Sequence, residues 1–273
     1  MKFDTKKNKE NFFNFSKQLF SNYNTLQIHS ELVNKFETLA NKYDINILID
    51  RNIRILYNQL INRFYHNEIT IKSNFINNVL LKSNNHVTIF ELNLHTSRVD
   101  LCKINGKSIA YEIKTDLDNF SRLEKQIKDY SKIFEQTYVI CSLNNVNNIL
   151  SIIPHYCGVY SYHIRTNGTY VFRKEKQAQE SNNLDSFSQL NLLSKKDIET
   201  NFKSSTLNMD KLVMINEIIP KYSSKYINST FKKIIKKKYK NKWDFLKQNH
   251  DQIYEIDYQW FFKNNINPNI IYQ

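Results

Sequence analysis

From Ser97 to Lys114 the chain follows a period of two. Val99 and Leu101 alternate with Arg98, Asp100 and Cys102. Ile109, Tyr111 and Ile113 alternate with Ala110, Glu112 and Lys114. Successive side chains of an extended strand point to opposite faces, so this pattern reads as two strands with one apolar face each. Asn105-Gly106 lies between them, a pair suited to the positive φ angles of a tight hairpin. Register is the critical question. A two-residue turn would pair Ile104 with Lys107, set Asp100 against Tyr111, and send Asp100 and Glu112 to opposite faces. Joining the apolar faces instead sets Asp100 beside Glu112 and Lys114. The pattern therefore predicts a three-residue loop or a β-bulge in this hairpin.

The surrounding segments extend the same reading. Val87 to Asn93 forms a further strand. Asp118 is the expected N-cap of a helix carrying Phe120, Leu123, Ile127, Tyr130 and Phe134 at spacings of three and four. Thr137 to Cys141 follows as a buried strand, with two weaker strands near residues 158–164 and 169–173. Upstream, Leu32, Phe36, Leu39 and Tyr43 share one helical face, as do Ile53, Leu56, Leu60 and Phe64. The fold class expected is α/β: a mixed β-sheet flanked by helices, with helical N- and C-terminal extensions. Boundaries fall at 1–49 for the N-terminal extension, 50–176 for the core and 177–273 for a mainly helical, basic C-terminal region. The polar stretch from Lys174 to Asn183 reads as a linker.

Charge narrows the partners. Lys and Arg number 39 against 26 Asp and Glu, a formal net charge of +13. That excess favours a polyanion, nucleic acid before membrane, although a sequence crowded with Asn, Lys and Ile also fits AT-rich coding. Lys232, Lys233, Lys236, Lys237 and Lys238 sit on a pattern with Phe231, Ile234 and Ile235 opposite, an amphipathic helix whose lysines either track a phosphate backbone or form a solvated face. No apolar run approaches membrane-spanning length, and no apolar segment follows the charged Met1–Glu10 as a signal peptide would require. The cysteines, Cys102, Cys141 and Cys157, form no C-x-x-C pair, so a reducing, cytoplasmic setting is the simpler reading. His155, Cys157 and His163 lack a fourth ligand at zinc spacing. With only Gly106, Gly158 and Gly168, the chain has neither a Walker loop nor a dinucleotide-binding turn; G-x-S-x-G is also absent.

The chemistry-bearing segment is Arg98-Val99-Asp100 followed by Tyr111-Glu112-Ile113-Lys114. Phosphodiester hydrolysis calls for a divalent cation, and Mg²⁺ prefers oxygen donors. Asp100 and Glu112 offer carboxylates, and the Ile113 carbonyl offers a third oxygen. Lys114, two residues beyond Glu112 on the same strand face, can orient water and offset charge developing on phosphate. The structural alternative is a plain hairpin with a salt bridge from Lys114 to Glu112 or Asp100.

With Glu91, Asn105-Gly106, Thr115-Asp116, Asp118, Arg122-Leu123, Gln126 and Tyr130, these residues form a set that resembles the PD-(D/E)xK nuclease superfamily, and within it a little-characterised bacterial nuclease-like family. A looser similarity in apolar spacing runs from about Arg51 to Trp243. Val99 stands where the superfamily's name has proline. The resemblance implies a restriction-endonuclease-like core and a Mg²⁺ or Mn²⁺ site. Asp100, Glu112 and Lys114 would carry the core roles, and Glu91 would reach the metal directly or through water. Gln126 would contact the attacking water or a phosphate oxygen, with Tyr130 packed behind it. Arg98 and Arg122 are candidate phosphate contacts. The activity implied is metal-dependent cleavage of nucleic acid, DNA before RNA, by endo- or exonucleolytic attack in a bacterial or phage setting. The alternatives are a nucleic-acid-binding protein that keeps the fold but cleaves little, and a defence or toxin nuclease regulated by a protein partner.

Overall fold

The computed structural model describes residues 6–49, 52–202 and 210–272, with side chains from residue 9 onward. The chain begins with helices α1 (Lys6–Ser21), α2 (His29–Lys42), α3 (Ile53–Phe64) and α4 (Glu68–Phe75), the last running into a π-helical turn, Ile76–Leu80. Strands β1 (Val87–Asn93), β2 (Arg98–Asn105) and β3 (Lys107–Lys114) follow, then α5 (Leu123–Ser131), β4 (Gln136–Ser142), α6 (Val146–Ile152), β5 (Gly158–Ile164) and β6 (Tyr170–Lys176). The remainder is helical: α7 (Ser186–Leu192), α8 (Lys195–Asn201), α9 (Lys211–Lys221), α10 (Ser224–Asn249), α11 (Tyr258–Asn264) and α12 (Pro268–Ile271). Residues 1–5 of the expected N-terminal helical stretch and 203–209 of the C-terminal one lie outside the described residues.

Six strands form one open mixed sheet in the order β1-β2-β3-β4-β5-β6. β1, β2 and β3 pair antiparallel, whereas β3–β4 and β4–β5 pair in parallel, with α5 and α6 as the connecting helices. Both faces of β3 and β4 are buried, as parallel strands require. On one face Tyr111, Tyr138 and Tyr160 stand in a row with ring centroids 5.8 and 5.2 Å apart, and Lys174 lies over the last two rings. The glycine of β5 is dictated by this row. A Cβ on Gly158 would come within 2.4 Å of the Tyr138 ring and 2.6 Å of the Ala178 nitrogen.

The chain divides into two compact units. The first comprises residues 1–82, 163–172 and 244–273. Its core joins Phe15 and Leu19 of α1, Leu32, Phe36 and Leu39 of α2, and Ile53, Leu56, Tyr57 and Leu60 of α3. Burying each such side chain contributes about 1.5–3 kcal/mol, enough to hold short helices that would not persist alone. Beside this core, buried Arg54 donates to the Tyr23 hydroxyl and the Thr25 carbonyl at 3.1 Å and to the Gln27 carbonyl. Asp257 accepts from Tyr23, Thr25 and Tyr272, each at 2.7 Å. The second unit comprises residues 83–162 and 173–243 and contains most of the sheet.

Two sequence expectations need correction. Residues 177–183 are no free linker. Ala178 is buried, Gln179 N–H donates to the Tyr156 carbonyl, Ser181 N–H to the Glu135 carbonyl, and the Ser181 hydroxyl to the Ser131 carbonyl. A polar composition hid a strap fixed by its backbone. Nor does Asp118 cap a helix: its carboxylate accepts from Thr115 N–H at 2.7 Å, closing a local turn, and α5 starts only at Leu123. Asp side chains satisfy turns as readily as helix ends, and residue spacing alone does not separate the two.

Candidate functional site

The β2–β3 hairpin pairs Leu101 with Tyr111, Ile104 with Ser108 and Asn105 with Lys107, so Gly106, at φ +70°, is the single residue between the strands, and the register is the one that the alternation required. Continued by one step, this register places Asp100 opposite Glu112, on the face that also carries Lys114. The backbone pairing of β2 with β3 ends at Leu101 and Tyr111, and beyond it Asp100 supplies a side-chain contact. Its Oδ2 accepts from Ile113 N–H at 2.7 Å. In an extended strand the N–H and C=O of one residue face the same neighbour, so the Ile113 carbonyl is on the Asp100 side as well.

Glu112 and Lys114 are locked together. Lys114 Nζ donates to Glu112 Oε1 at 2.8 Å and to Gln126 Oε1 of α5 at 3.1 Å. The Tyr130 hydroxyl, one helical turn beyond Gln126, lies 2.6 Å from Glu112 Oε2 and 2.9 Å from the Arg98 carbonyl. Burial, and then the adjacent Glu112 charge, push the Tyr130 phenol upward, so it stays protonated and donates. Asp100, Glu112 and Lys114 expose only 6, 2 and 9% of their surface.

Glu91 occupies the edge strand. Its neighbours keep register, Phe90 with Leu101 and Leu92 with Val99, which sets Glu91 opposite Asp100. Yet Glu91 has φ +54°, a left-handed conformation that costs a non-glycine residue about 1–2 kcal/mol. A carboxylate oxygen of Glu91 lies within 4.8 Å of one of Asp100, and Arg98 pairs with Glu91 at 2.9 Å. Sequence alternation had no means of signalling the positive φ.

These groups fit a hard cation. Glu91 and Glu112 are ion-paired with Arg98 and Lys114, and Asp100 accepts from Ile113 N–H. Asp100, Glu91 and the Ile113 carbonyl are oxygen donors of the kind Mg²⁺ and Mn²⁺ accept, with Glu112 alongside. Gln126 reaches the site through Lys114. Arg122 is exposed immediately before α5.

The lysines of α10 fall into two groups. Lys232 is half-buried: its ammonium bonds both Glu135 oxygens at 2.9 Å and the Gly106 carbonyl. Lys232 therefore has a structural role in holding the hairpin, rather than the solvent-facing one expected for a phosphate contact. Burial by itself would raise the Glu135 carboxyl, but the bonds from Lys232 and from Ser108 N–H bring it below its ordinary value. Lys236 reaches the Asn85 carbonyl at 2.8 Å, whereas Lys233, Lys237 and Lys238 are exposed. Cys157 is a core thiol, pushed up to about 12 by burial, and His155 is exposed.

Fold and site together describe a mixed α/β protein with an acidic-lysine cluster on adjacent central strands. The chain belongs to the Bacteriophage P4 protein cII family, whose model matches residues 61–259, a span that includes the whole cluster. Protein cII of Enterobacteria phage P4 is 26% identical over 102 residues, equal to 37% of this chain and 38% of the phage protein, so the match spans well under half of that relative. A protein of unknown function from Silicibacter pomeroyi, SPO1766, shares 13% identity over 52% of this chain and 77% of its own, at a TM-score of 0.30, too low to bear on the fold. Among the described residues no helix is long and apolar enough to cross a membrane.

Proposed function

We propose that the protein is a metal-dependent nuclease of PD-(D/E)xK type, hydrolysing phosphodiester bonds in nucleic acid, DNA before RNA. The observation that carries this reading is the juxtaposition of Asp100, Glu112 and Lys114 on one face of β2 and β3, set by the register of the hairpin that turns at Gly106. Asp100, Glu91, Glu112 and the Ile113 carbonyl would hold Mg²⁺ or Mn²⁺, which when bound supplies Lewis-acid polarisation of the phosphate and acidifies water. Lys114, held between Glu112 and Gln126, is placed to orient the attacking water and offset charge on the phosphate oxygens. Tyr130 keeps Glu112 in place. Arg98, exposed above Glu91, is available to a phosphate.

A second reading has its own support. Lys114 and Tyr130 already engage both Glu112 oxygens, as in a structural ion pair within a nucleic-acid-binding protein. The two readings separate when purified protein is incubated with linear, circular and single-stranded DNA and with RNA, in Mg²⁺, in Mn²⁺ and in chelator. The nuclease reading expects metal-dependent cleavage of at least one substrate. Binding that is indifferent to metal, without cleavage of any substrate, would favour the binding protein.

A further inference from the structure

The first unit has an open concavity of about 710 Å³, within the range of about 300–1,000 Å³ usual for ligand sites. Its charged lining is entirely cationic among the described residues: Lys9, Arg63 and Arg165, with His66 beside them and no carboxylate. Phe13 and Phe64 add aromatic surface.

The lining is built rather than incidental. Arg63 is oriented on three sides. Its guanidinium donates to the Thr166 carbonyl at 3.1 Å and lies 5.4 Å from the Phe64 ring centre, while its carbon stem packs on Gly168. Gly168, at φ +88°, closes the turn that presents Arg165 and Thr166, with its N–H bonded to the Arg165 carbonyl at 2.8 Å. Phe12 stacks on Phe64 with ring centroids 4.8 Å apart. His66 Nδ1 is 2.8 Å from the Tyr170 hydroxyl, which fixes the ring.

Cations that meet phosphate beside aromatic rings that meet base faces are the parts of a single-strand binding site. Among the described residues the lining includes no Asn, Gln, Asp or Glu side chain to read a base edge, so recognition would be independent of sequence. We infer that this concavity binds single-stranded nucleic acid, its phosphates on Lys9, Arg63 and Arg165 and a base against Phe64. The inference rests on the proposed function only in taking nucleic acid as the ligand. It is read by binding, not by cleavage.

The test uses fluorescence anisotropy with a labelled oligothymidylate, in an Asp100→Asn background so that the probe stays intact whether or not the protein cleaves. Lys9→Glu with Arg165→Glu changes two exposed side chains and should raise Kd about tenfold or more. Phe64→Leu keeps an apolar contact with Phe12 and should raise Kd about fivefold or more through lost stacking. Lys42→Glu with Lys196→Glu makes the same change of net charge at exposed positions elsewhere and should shift Kd by less than about threefold. If the pocket double variant binds no worse than this charge control, the site is overturned. ATP binding as tightly as the strand, and lost in the same variants, would also overturn the strand assignment. A protein that binds through this pocket yet cleaves nothing would sustain the inference while sinking the nuclease reading.

Discussion

Lys114 has two acceptors and Glu112 two donors, so the central pair of the site is held in one geometry before any substrate arrives. Tyr130 is the group that the residue types alone leave ambiguous. Its ring is core, completely buried, yet its hydroxyl fixes the carboxylate. Tyr130→Phe keeps the ring and removes that bond. Outer partners of a metal ligand typically contribute about 10–100-fold to metal affinity or activity, so the variant should fold, by circular dichroism, and lose cleavage within that range. Wild-type turnover in Tyr130→Phe would leave the phenol with a packing role only. Glu91 carries the complementary lesson: a strained backbone at an edge-strand carboxylate close to Asp100 points to a functional demand on that position.

At the scale of elements, the period-two alternation of 98–114 exposed the hairpin, its register and the shared face of Asp100, Glu112 and Lys114, because burial of one face leaves a single acceptable register. The start of α5 was not legible, since Asp118 serves a turn whose partner is the adjacent Thr115 backbone. Lys232 was equally hidden. Within a lysine run, spacing does not tell which ammonium meets Glu135, distant in sequence. This division of labour on α10 yields a specific expectation. Lys233, Lys237 and Lys238 are the exposed members, and each phosphate contact adds about 0.9 to the slope of log affinity against log salt on duplex DNA. Changing all three to Gln should flatten that slope by about 2–3, measured by fluorescence titration across salt concentrations. An unchanged slope would assign them to an ordinary solvated helix face.

For the molecule as a whole, stability includes contributions from partners that no local pattern links. Arg54, Tyr23, Asp257 and Tyr272 meet from opposite ends of the chain. Burial raises the Asp257 carboxyl despite its three hydroxyl donors and nearby Arg54. A carboxyl raised on folding favours the protonated native state. Its destabilising contribution is absent below the unfolded value, grows as pH rises between the unfolded and folded values, and is complete above the folded one. Urea unfolding of wild type and Asp257→Asn across pH should therefore show wild type gaining on the variant as pH falls through that window. A difference independent of pH would mean that the hydroxyl donors and Arg54 fully offset the burial.

Turnover is the property that depends most directly on the acidic-lysine cluster. Cleavage rates of wild type, Asp100→Asn and Lys114→Ala should be measured side by side in Mn²⁺ on the substrate that wild type cuts best. Asp100→Asn keeps the shape but removes a ligand charge; Lys114→Ala removes the ammonium that orients water. Each should lower kcat by about a hundredfold or more while the fold and nucleic-acid binding persist. Cleavage that both variants retain at the wild-type rate would mean that the cluster is not the catalytic centre.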